Sequence, residues 1–109
     1  MELNSSTIKK FLEDELAREE PFFNWHGITA QNVHSFLVEP FPAWTDPDDL
    51  ETNARTMWVV LQERPKPTEG YVIVYDPLSE TWNVAEHLKD DQYQVVVVRP
   101  SFAQALERM

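Results

Sequence analysis

Cysteine is absent from the 109 residues, which excludes a disulfide framework, a thiolate zinc site and a cysteine nucleophile. Glycine occurs only twice, at Gly27 and Gly70. A Gly-rich phosphate loop needs more than that, and no G-x-S-x-G elbow surrounds any serine. Basic residues are scarce as well: nine Lys and Arg stand against nineteen Asp and Glu, a net charge of −10. Neutralising phosphates demands the opposite sign, so neither nucleic acid nor an anionic membrane surface is an expected ligand. No apolar run approaches the ~18 residues of a membrane span. Met1 to Lys10 contains no apolar stretch of the secretory kind, so a cytoplasmic location is expected.

What is present is a hydrophobic fraction of 42% with four Trp, six Phe and three Tyr. That suffices for one core and a single domain over residues 1–109. The aromatic bulk serves either that core or a contact surface.

Periodicity places the elements. Ser5 and Ser6 offer caps before Ile8, Phe11, Leu12 and Leu16, which recur at helical spacing until Pro21. A second helix is predicted from Thr29, with Ile28 and Val33 as a hydrophobic staple and Pro40 as its stop. Residues 40–56 read as a long connection in which Asp46-Pro47-Asp48-Asp49 starts one or two helical turns. Beyond it the period changes to that of strands: 57–62, 71–75, 81–86 and 93–98, separated by turn chemistry at 64–70 and 76–79. The strands 71–75 and 93–98 are apolar on both faces and are expected to be covered on both. The strand 81–86, where Trp82 and Val84 flank Asn83, reads as half-exposed and edge-like. Ser101 caps a last short helix with Phe102, Ala105, Leu106 and Met109 on one stripe. The fold expected is α+β: a meander of three to four mainly antiparallel strands packed against N-terminal helices and a short C-terminal helix.

The residues that carry chemistry are few. His26, His34 and His87 share neither the i,i+4 spacing of a helical zinc site nor an H-x-H pair. In the acidic run Asp46, Asp48, Asp49 and Glu51, Leu50 takes the third calcium-ligand position and no glycine follows. No metal and no cofactor are expected. On a wheel of about 100° per residue, Glu15 and Glu19 fall on the apolar face of the first helix. Glu19 and Glu20 also stand at the negative end of its dipole, where acids are unfavourable. The loop Asn24-Trp25-His26-Gly27 follows Pro21-Phe22-Phe23; either Phe22, Phe23 and Trp25 plug the core between two helices, or Trp25 and His26 form part of a recognition patch.

Glu15, Glu19, Trp25 and His26 are therefore the candidate partner-binding residues, with no catalytic set. Size, acidity and helix-plus-meander layout resemble small bacterial immunity and inhibitor proteins in general character, without a shared motif. That likeness implies a non-enzymatic interaction protein with a basic protein partner. The alternative is a small-ligand-binding or enzymatic domain with a pocket between sheet and helices.

Overall fold

The computed structural model describes residues 3–47, 54–65, 69–89 and 92–109. The first helix, α1, spans Ser5–Ala17. Its cap is Asn4 rather than either serine, the Asn4 side chain accepting from the Thr7 N–H at 2.9 Å. Ile8 and Leu12 are buried, and Phe11 and Leu16 pack beside them. The helix ends before Pro21, because Glu19 takes a left-handed φ of 53°.

The second predicted helix is not formed. Thr29 does open a turn: its Oγ1 accepts from the Asn32 N–H, and the Asn32 Oδ1 accepts from the Thr29 N–H. Only a single 3-10 turn follows, Val33–Phe36. Ile28 and Val33 are both buried nonetheless. The chain then extends as β1, Leu37–Asp46, across residues the sequence marks as a helix end and a connection. Asp46, expected to cap a helix, closes this strand; residues 48–53 of the predicted helix start lie outside the described residues. Among the described residues β1 meets β5 at Trp44–Asp46, so Pro40 and Pro42 lie ahead of that ladder and interrupt none of its described pairs.

The remaining strands are β2 (Arg55–Gln62), β3 (Tyr71–Asp76), β4 (Thr81–Lys89) and β5 (Gln92–Arg99), followed by helix α2 (Phe102–Arg108). Each strand runs antiparallel to the next, and β5 lies parallel to β1 through Trp44↔Gln92, Thr45↔Tyr93 and Asp46↔Gln94. The α+β class stands, but the sheet has five strands and closes into a barrel. Closure removes the edge expected at residues 81–86, since β4 lies between β3 and β5. Asn83 accordingly faces inward at 2% exposure.

Two apolar layers result. Val72, Val74, Met57, Val59, Ala85 and Val95 fill the barrel interior. Ile73, Trp82, Val84 and Leu61 face outward and are roofed by Ile8 and Leu12 of α1 and Phe102 and Leu106 of α2. Alternate residues of β3 thus enter different cores, which is why that strand is apolar on both faces. The valine run of β5 differs from expectation: Val95 is buried, but Val96 and Val98 are 38% and 47% exposed. A register shift opposite Val84/Ala85 turns Val96 out of the alternation.

Candidate interaction groove

The end of α1, residues 19–34 and the start of α2 enclose a groove of about 810 Å³. Among the described residues no strand residue lines it, so it lies beside the helices rather than between sheet and helices. Leu16, Phe22, Val33, Phe102 and Leu106 supply apolar lining, and Glu15, Glu19 and Glu20 supply acid. Among the described residues neither Lys nor Arg lines it.

Polar side chains fasten its walls. The Glu15 Oε1 accepts from the Phe102 N–H at 2.8 Å, satisfying a donor of the first turn of α2. Its Oε2 accepts from Arg18 at 2.9 Å, and the side chain is 13% exposed. Chiefly through that hydrogen bond, Glu15 raises the Arg18 pKa above its already high ordinary value. Glu20 accepts from the Ser101 hydroxyl at 2.9 Å, while Ser101 caps α2 by accepting from the Gln104 N–H. Buried Asn24 donates to the Leu106 carbonyl at 2.6 Å, and its Oδ1 accepts from the His26 and Ile28 N–H groups.

Of the four candidate residues, Glu15, Glu19 and Trp25 line one groove and His26 does not. His26 turns toward the barrel, with Nδ1 3.1 Å from Glu63 Oε2 and its ring edge-on to Tyr71. Trp25 is 81% exposed, and its ring meets Phe23, itself 63% exposed, edge to face at 5.0 Å. Neither Trp25 nor Phe23 is a core plug. No local pattern marks Glu63, which meets His26 from far along the chain, nor the long-range bonds of Asn24 to Leu106 and of Ser101 to Glu20. Glu15, if it served only a partner, would be dispensable to the fold. Its bond to Phe102 reverses that: Glu15→Ala lowers stability by about 1–2 kcal/mol in urea denaturation, and Glu15→Gln by less.

Among the described residues no group of three or more acidic or histidine side chains is placed to hold a metal ion. Among them, too, no helix is long and apolar enough to cross a membrane. No protein-family model matches this chain, and no curated protein or solved structure is significantly similar to it. Fold and groove together define a five-stranded barrel carrying a helix-bounded acidic and aromatic cleft.

Proposed function

We propose that this is a non-enzymatic interaction domain that takes a cationic, partly apolar segment of a protein partner into the groove. One observation carries the proposal: among the described residues the Asp, Glu, Lys and Arg side chains that line the groove are Glu15, Glu19 and Glu20, all acidic, beside two exposed aromatic rings on one loop. Exposed aromatics paired in a defined geometry are the anchors that dominate binding energy at interfaces. Carboxylates around them favour a basic partner and speed its approach. An inhibitor or immunity protein acting on a basic target is the concrete case, at a cytoplasmic location.

Titration with a short Lys/Leu peptide at several salt concentrations tests this. Affinity is expected to fall as salt rises. The double replacement Glu19→Gln/Glu20→Gln weakens binding and makes the salt dependence shallower, while Trp25→Ala costs about tenfold in affinity. Binding indifferent to salt and to all three replacements would refute the proposal.

A further inference from the structure

Two features of the groove are unexplained by folding alone. The first is Glu19. It occupies the left-handed position after the C-cap Arg18, a place that favours glycine. Its carboxylate also stands at the negative end of the α1 dipole. Its backbone N–H bonds to the Leu16 carbonyl, but among the described residues its carboxylate makes no hydrogen bond or ion pair. Glu15 and Glu20, by contrast, are engaged by Phe102, Arg18 and Ser101. Glu19 is thus costly to the fold in two ways and is the uncommitted acid of the groove.

The second feature is the fixing of Trp25. Its ring is exposed, yet the chain on both sides is pinned by Asn24 to Leu106 and by His26 to Glu63, and Phe23 props the indole. A large aromatic face held in solvent by this many restraints is preorganised for a ligand.

Resting on the groove reading above, we infer that Glu19 and Trp25 together receive an arginine side chain of the partner. An arginine guanidinium stacks on an indole face and offers a carboxylate a planar pair of donors; a lysine ammonium does the first less well and lacks the second. The cation also relieves Glu19 of its uncompensated charge at the helix end.

The test uses calorimetric titration with three Leu-rich peptides that differ at one central residue: arginine, lysine or citrulline, the uncharged isostere of arginine. The arginine peptide is expected to bind about tenfold tighter than the citrulline peptide and about threefold tighter than the lysine peptide. Glu19→Gly and Trp25→Leu each bring the arginine peptide to the citrulline level, while citrulline affinity changes by no more than about twofold. Glu19→Gly is also expected to raise the melting temperature, which separates a binding defect from a folding defect. Equal affinities for arginine and citrulline overturn the inference and leave the groove standing. Failure of all three peptides to bind the wild-type protein overturns the groove as well.

Discussion

Truncating Ile73 to alanine lowers the unfolding free energy by about 2–4 kcal/mol. Ile73 is fully buried in the middle of β3, paired with Leu61 on one side and Val84 on the other. It belongs to the layer beneath α1 and α2. Shortening it leaves a space bounded by two strands and two helices, none of which can move in without disturbing the barrel. The same truncation at Val96 is expected to cost less than about 1 kcal/mol, because that side chain is already 38% exposed. Urea denaturation of the two variants checks both. Equal losses would mean that the two strands do not differ in cover as described.

Replacing Asp76 with asparagine is expected to cost about 3 kcal/mol at neutral pH. Asp76 is 1% exposed at the end of β3 and is gripped by the Arg55 Nε and Nη2 groups, the Leu78 N–H and the Ser79 hydroxyl. Burial by itself pushes the carboxyl pKa up. The bonds from Arg55, Ser79 and Leu78, with the charge of Arg55, outweigh it and hold the group below its ordinary value. A carboxyl that binds its proton less readily when folded contributes stability above its unfolded pKa of about 3.9 and loses it as pH falls through the lower folded value. The wild-type advantage over Asp76→Asn is therefore largest at neutral pH and shrinks below about pH 4. Thermal melts from neutral to acid pH check this. Parallel pH profiles for the two proteins would contradict the depressed carboxyl.

The strands β2 to β5 and the helix α2 were legible because their signals are local. Alternation, turn residues at 76–79 and the capping Ser101 each act within a few residues. β1 was not legible, since Pro40 and Pro42 are breakers in almost any strand. Among the described residues they lie ahead of the parallel pairing of Trp44–Asp46 with β5, an arrangement no local pattern encodes. Asn83 was misplaced for a related reason. An asparagine beside Trp82 and Val84 reads as solvent-facing, and only barrel closure puts it inside. At the groove, the anomaly of Glu19 was visible as a broken helix-end rule. The role of Glu15 was hidden, because its partner Phe102 lies on a helix far along the chain.

The seam between β1 and β5 has a consequence for how the chain comes into being. Among the described residues three pairs close the barrel, joining residues 44–46 to residues 92–94. During synthesis β1 to β4 emerge first and can pair as an open curved sheet, with the residues 44–46 side of β1 unpaired until β5 arrives. The last pairing is also the one of longest sequence separation, so it is slow to nucleate. A nascent chain paused before residue 92 is thus a template for strand exchange with a neighbouring copy.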